Sequence, residues 1–218
     1  MPQSTATQLR ADWISLLSAY RAIAIIRADN IEQGVLMAQA AAAGGFRLIE
    51  VAWTNNAKPA AMVAAIQRAL PDCVVGAGSV LSEDDLSEAI TAKAQFCFTP
   101  YVSYDLIKQS IASQLPIVVG AMTPTEIVNA WQAGASSVKV FPISSLGNAD
   151  YIRSLLGPLG PIPLIPTGGV TSESAPALIA AGAIAVGLST ALFPTTEVLQ
   201  ADWAAIEARS RYLLTLLS

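Results

Sequence analysis

Histidine is absent from the 218 residues of this chain, which removes at once the commonest general base and the commonest zinc ligand. Cysteine is almost absent too. Cys73 and Cys97 each sit in an apolar run with no partner beside them, and they read as buried thiols rather than a disulfide or redox pair. Charge is scarce, at 13% of residues, and the net charge of −4 with a pI near 4.8 leaves no basic face for nucleic acid. Apolar residues reach 53%, yet Gly, Pro or a charge interrupts every run before the roughly 18 residues that a membrane span needs. The opening "MPQSTATQLRADW" has no hydrophobic signal core, so the expected compartment is the cytoplasm. Chemistry is left to carboxylates, amines, hydroxyls and backbone dipoles.

What the sequence does contain is a rhythm. Short β-type runs occupy 22–27, 47–53, 73–78, 95–100, 116–120, 137–142, 162–169 and 183–189, spaced by about 21 to 26 residues, the period of parallel crossover units. Most are continuous apolar stretches, as strands covered on both faces should be. Between them, "TPTEI" places Thr123 as a helix N-cap, Pro124 at the first helical position and Glu126 at the capping-box position. Alanine-rich segments end on Gly44, Gly134 and Gly182 before the next strand. The pattern predicts a single-domain (β/α)8 TIM barrel over 1–218, with flanking helices near 7–20 and 197–216. A doubly wound open sheet is the competing architecture, but it more naturally stops at five to seven strands.

Against this background "SSVKVFP" (136–142) is anomalous, because it sets Lys139 in a buried, β-branched run. Period-two alternation turns Val138 and Val140 toward the helices, and Ser137, Lys139 and Phe141 into the barrel. The same rule turns Ile49 and Val51 outward and Leu48, Glu50 and Ala52 inward, while Trp53 faces the helix layer. A lysine and a glutamate thus enter one interior from non-adjacent strands. One reading is a structural ion pair plugging the barrel; replacing such pairs by apolar residues is often neutral or stabilising, so stability alone is a poor reason to keep one. The other is an amine whose pKa is lowered by burial, able to attack a carbonyl while Glu50 moves protons. At the barrel rim, "PTGGV" (166–170) and "GLS" (187–189) fall where barrels commonly hold a phosphate. There Gly168 and Gly169 permit close backbone approach, while Thr167 and Ser189 offer hydroxyls. Ser79 closes the third strand, and Arg27, closing the first, is the cation best placed for an acidic substrate.

These segments together resemble the class I aldolases that act on 2-keto-3-deoxy-6-phosphogluconate and 4-hydroxy-2-oxoglutarate. "GGFRLIEV" resembles the segment with the catalytic glutamate, "GAGSVL" the family's G-A-G-T-V-L, "TPTEI" a helix start, "VKVFP" the K-x-F-P segment and "PTGGV" the phosphate loop. The match runs in order over roughly 20 to 195. The resemblance implies that Lys139 forms an imine with a 2-keto acid, that Glu50 is the general acid/base, and that Ser79 contacts the pyruvyl end. It implies phosphate contacts from Thr167, Gly168, Gly169 and Ser189, and substrate contacts at Thr54, Pro100, Phe141 and Gly187, beside the candidate Arg27. It also implies a homotrimer with no metal and no organic cofactor.

Three departures accompany it. The family's E-V-T-x-R-T is "EVAWTN" here, so Thr54 stands at the position of the carboxylate-gripping arginine and Ala52 at that of the first threonine. Loss of such a contact weakens carboxylate binding by about 2–5 kcal/mol, unless Arg27 substitutes. Leu188 replaces a glycine in "GLS" and is expected to crowd the phosphate. Pro100 is followed by Tyr101, where the family has glycine. The expected reaction is cleavage of the phosphorylated sugar acid to pyruvate and glyceraldehyde 3-phosphate. The alternatives are 4-hydroxy-2-oxoglutarate cleavage or oxaloacetate decarboxylation through the same imine, and a silent barrel that only binds a phosphorylated metabolite.

Overall fold

The computed structural model describes residues 2–54 and 56–217. Eight parallel strands follow the sequence rhythm: β1 (Ala22–Ile26), β2 (Leu48–Ala52), β3 (Val74–Gly78), β4 (Cys97–Phe98), β5 (Ile117–Ala121), β6 (Ser137–Val140), β7 (Leu164–Pro166) and β8 (Val186–Leu188). Their spatial order is β7-β6-β5-β4-β3-β2-β1-β8. Each strand therefore lies beside its sequence neighbour, and β8 returns to pair with β1, with Ala24 opposite Leu188. Between β7 and β8 the Ile184 N–H donates to the Leu164 carbonyl at 3.0 Å. That order excludes a doubly wound sheet, whose strands reverse direction of travel from the middle. The fold is a TIM barrel.

Several strands are shorter than the apolar runs suggest. The β4 run 95–100 pairs only at Cys97 and Phe98, and the β7 run 162–169 only over Leu164–Pro166. Pro100 and Pro142 bring no N–H to a ladder, so Pro100, Phe141, and Thr167 to Gly169 stand on the loops above the strands. The helices are α1 (Pro2–Tyr20), α2 (Ile31–Ala43), α3 (Pro59–Ala69), α4 (Glu83–Thr91), α5 (Tyr104–Ala112), α6 (Pro124–Ala133), α7 (Ala149–Leu159), α8 (Ser174–Ala180), α9 (Thr195–Leu199) and α10 (Trp203–Leu217). The expected trailing helix, 197–216, is two helices with a break around Ala201, whose φ is +52°. The cap on α6 forms as its sequence requires. Glu126 accepts from the Met122 and Thr123 N–H groups, and its own N–H donates to the Thr123 hydroxyl. The Met122 N–H, together with the Thr123 hydroxyl and N–H, holds the Glu126 carboxyl below its usual range.

Two apolar layers result. Outward residues such as Ile49, Val51, Val138, Val140 and Leu188 join the helices in the larger core. Ile23, Ile25, Leu48, Phe96, Phe98, Val118, Ile165 and Ala185 fill the barrel together with Trp13 and Leu17 of α1. The leading helix is thus more than a flank, because its Trp13 plugs one end of the barrel. The Trp13 ring lies 5.1 Å from Phe96 and 6.4 Å from Phe98, and Phe96 meets Phe98 edge-on at 5.7 Å. Its Nε1 donates to Ser137 Oγ at 2.9 Å. Such ring pairs add about 0.5–1.5 kcal/mol each beyond the area they bury. Large rings in a narrow barrel require small partners: a methyl group on Gly76 would lie 2.4 Å from the Phe96 ring.

Candidate active site

Lys139 and Glu50 sit one layer above this aromatic floor, 5% and 1% exposed. Their strands fix them there: Lys139 pairs with Gly120 of β5 and Ile165 of β7, and Glu50 with Ile25 of β1 and Gly76 of β3. The Lys139 Nζ lies 4.8 Å from the centre of the Phe141 ring and 5.9 Å from that of Phe98, where the ring faces attract a cation. Among the described residues no carboxylate comes within 4.0 Å of it, and the ion pairs present, Arg153–Asp150, Arg209–Glu197 and Arg211–Glu207, are all elsewhere. A contact ion pair plugging the barrel is therefore not what the sequence has built.

Glu50 is equally unpartnered. Both carboxyl oxygens are buried and accept no hydrogen bond among the described residues. The carboxyl group lies flat against β3, so that a methyl group on Gly78 would come within 1.7 Å of Oε1. Burial pushes the Glu50 carboxyl above its ordinary range, against the opposing pull of the Lys139 and Arg27 charges. Burial pushes the Lys139 amine below its ordinary range; Glu50 opposes that shift and Arg27 reinforces it. Each group is thus drawn toward its neutral form, the state in which an amine attacks carbonyls and a carboxylic acid donates protons.

The remaining predicted residues divide around this pair. Arg27 projects exposed from the end of β1, its Nη2 3.5 Å from Ser79 Oγ. That distance is long for a hydrogen bond, but it brings the two groups to one side of the mouth. Ser79 is buried at the end of β3 with φ +57°, an uncommon conformation for a residue with a Cβ. Phe141 roofs Lys139 and also touches the next loop, since a methyl group on Gly168 would lie 2.8 Å from its ring. Gly168 and Gly169 both hold left-handed backbone, φ +82° and +80°, which explains glycine at both. Their N–H groups donate to no acceptor among the described residues. Thr167 is buried with its Oγ1 unpartnered, and its methyl packs where a Cβ on Gly187 would be.

Other placements are looser. Pro100 meets β5 through its backbone, 2.3 Å from where a Gly120 methyl would stand. Ser189 is half-buried and lines a cavity of about 280 Å³ with Arg27, Phe193 and Leu199. Thr54 lies in the turn after β2 and makes no side-chain hydrogen bond among the described residues. Trp53 does face the helix layer, its Nε1 donating to Glu88 Oε2 at 3.0 Å. Leu188 does not crowd a phosphate loop: it is fully buried among the helices, pointing away from the barrel interior. Strand alternation in β8 explains that, because Gly187 takes the inward position. Sequence reasoning missed Gly78 and Phe98 as neighbours of the reacting pair. The signal was available in period two, which makes Gly76, Gly78 and Phe98 inward residues like Glu50.

Known proteins resemble this chain over most of its length. Residues 14–209 match the aldolase family model described as KDPG and KHG aldolase. The 2-dehydro-3-deoxy-phosphogluconate aldolase of Dickeya dadantii is 28% identical over 90% of this chain and 92% of its own length. The KHG/KDPG aldolase of Escherichia coli K12 is 31% identical over 72% of this chain and 73% of its own. In three dimensions the KDPG aldolase of Legionella pneumophila, solved with pyruvate captured at low pH as a covalent carbinolamine, superposes with a TM-score of 0.85. It covers 92% of this chain and 97% of that protein, at 21% identity, and so speaks to the fold.

Proposed function

The chain belongs to the KDPG and KHG aldolase family, the carbon–carbon lyases, and from that premise we propose that it cleaves 2-keto-3-deoxy-6-phosphogluconate through an imine on Lys139. The observation that carries the reading is the pairing of a buried amine lacking a carboxylate within 4.0 Å with a buried carboxyl group lacking a hydrogen bond, at one end of one barrel. In the proposed cycle the neutral Lys139 amine adds to the C2 ketone, and the Glu50 acid protonates the departing hydroxyl, so that loss of water leaves a protonated imine and a Glu50 carboxylate. Glu50 takes the proton of the C4 hydroxyl as the C3–C4 bond breaks, its electron pair moving into the imine to form an enamine. Glyceraldehyde 3-phosphate leaves, Glu50 returns its proton to the enamine carbon, and water hydrolyses the resulting imine to pyruvate and the free Lys139 amine, the released proton restoring the Glu50 acid. Arg27, beside Ser79, stands in for the arginine that Thr54 replaces and holds the substrate carboxylate. Left-handed Gly168 and Gly169, with their undonated N–H groups, suit the phosphate.

The trimer that the resemblance implies is supported by exposed Leu81, Tyr101 and Met122 on three successive loops and by Tyr104 at the start of α5, large side chains of the kind enriched where copies meet. Reduction with borohydride in the presence of pyruvate, followed by peptide mass mapping, tests the imine. A reduced three-carbon adduct on Lys139, absent in Lys139→Met, is the expected result. No adduct at saturating pyruvate on folded protein overturns the reading. Turnover of the phosphorylated sugar acid against 4-hydroxy-2-oxoglutarate and oxaloacetate then decides the substrate.

A further inference from the structure

Phe98 ends β4 fully buried, and of the three rings in the barrel floor it is the one within reach of the amine. The Phe96 ring lies against β3, where a methyl group on Gly76 would meet it, and the Trp13 indole donates its N–H to Ser137 Oγ. Phe98 stands at 74° to Phe96 and 75° to Trp13, and these two edge contacts fix its plane. Its centre lies 5.9 Å from Lys139 Nζ, within the roughly 6 Å over which a ring face attracts a cation. The strand between them is β5, where Val118 pairs with Phe98 and Gly120 with Lys139. Both face inward by alternation, and Gly120 has no side chain to come between ring and amine. Phe141 approaches the same nitrogen at 4.8 Å from the loop after β6, so two rings from different strands converge on it.

We propose that the Phe98 ring is an electrostatic partner of the imine nitrogen on Lys139, its face compensating the positive charge that the protonated imine carries. The proposal rests on the imine reading above. That chemistry makes two opposed demands on one nitrogen. As a nucleophile it must be neutral, and burial favours that form. As an electron sink it must be cationic, and the same burial penalises it. A carboxylate in contact would meet the second demand and defeat the first, because it would hold the resting amine as an ammonium. A ring face attracts a cation weakly in water and more strongly once water is gone. Substrate supplies that change, since the keto acid covers the little-exposed amine as the imine forms. The ring makes no bond and moves no proton. The charges that act on Nζ are Glu50 from β2, which favours the cation, and Arg27 from β1, which opposes it; β5 and β7 present only Gly120 and Ile165. An aliphatic residue like Ile25, Val118 or Ile165, which fill the rest of the barrel, would give the same burial without a ring face.

The test replaces Phe98 with mono-, di- and trifluorinated phenylalanine by codon suppression. Fluorine drains negative charge from the ring face and leaves the shape of the side chain nearly unchanged. The quantity read is the pyruvate concentration that half-labels Lys139 in a rapid quench with excess borohydride, which follows the imine equilibrium. It is expected to rise stepwise with each fluorine, to about two- to fivefold above the wild type in the trifluorinated protein, with no matching loss of thermal stability. Phe98→Leu, which keeps an apolar side chain and loses the ring, is expected to rise at least as far. A flat fluorine series overturns the assignment, because Phe98 then supplies packing alone. A falling series overturns it as well, because the ring then holds the resting ammonium and its weakening frees the nucleophile. The wild type keeps this failure apart from that of the imine reading. Labelling on Lys139 with a flat or falling series removes only the role of Phe98, whereas no labelling at saturating pyruvate removes the imine itself.

Discussion

Replacing Gly78 by alanine adds one methyl group to the barrel at the point where Glu50 rests. That methyl would lie 1.7 Å from Oε1, 2.3 Å from Cδ and 2.5 Å from Cγ, roughly 2 Å inside ordinary van der Waals separation. Gly78 is not among the residues with positive φ, so alanine suits the backbone and the conflict is with Glu50 alone. The carboxyl group must swing away by about the overlap. A misplacement of even 1 Å costs about 100-fold in rate, so kcat for aldol cleavage is expected to fall at least about 100-fold. Overpacking of this kind costs about 1–3 kcal/mol, a Tm lowered by roughly 2–4 °C per kcal/mol for a chain of this length. Steady-state kinetics, a thermal melt and pyruvate labelling of Lys139 are measured together, and labelling persists because the amine enters from β6. A second change sharpens the test. Glu50→Asp removes one methylene, so the double variant is expected to be more stable than the two single losses sum to, by about 1 kcal/mol. A Gly78→Ala protein with kcat within threefold of the wild type would refute the claim that Gly78 fixes the proton carrier.

Three further outcomes follow from the same geometry. Glu50→Gln has a pH signature. Because the folded carboxyl titrates above its unfolded value of about 4.3, the folded state holds the extra proton and the stability from this group falls as pH rises through that window. The glutamine variant lacks that fall, so urea melts should show its advantage over the wild type growing from about pH 4 upward, and a constant difference would contradict the raised value. Arg27→Gln is expected to raise KM for keto-acid substrates about tenfold, with the wild-type KM also rising with salt, since the guanidinium is exposed; an unchanged KM would remove Arg27 from carboxylate binding. Trp13→Leu loses the bond to Ser137 and the ring stack beneath Lys139 and should destabilise the fold by about 2–4 kcal/mol, read by chemical denaturation. A loss under 1 kcal/mol would mean that the plug contributes little.

Much of this protein can be read from its residues in order. Eight apolar runs at a βα spacing specify a parallel barrel because continuous apolar strands need cover on both faces, and the Thr123–Glu126 cap forms from local chemistry alone. Alternation is equally local: with a side-chain period of two, the inward placement of Lys139 and Glu50 follows from their neighbours. Strand ends were less legible, because apolar character continues into Pro100 and Phe141, past the strand ends at Phe98 and Val140. The same alternation, carried through β8, would have turned Leu188 outward.

Tertiary structure alone decided everything that depends on contact between distant segments. No local pattern says that Trp13, from the first helix, closes the barrel beneath residues 96 and 98, or that Glu50 rests on Gly78. Nor does any say that the turn at Ser144 is bonded to the loop at Gly168. The character of the reacting pair also belongs there. The chain by itself determined that one lysine and one glutamate enter a common interior. Whether they touch depends on where eight strands set them around the barrel, and they are held beyond 4.0 Å. At that separation neither charge fully compensates the desolvation of the other, so burial dominates both and the amine and the acid stay available for chemistry.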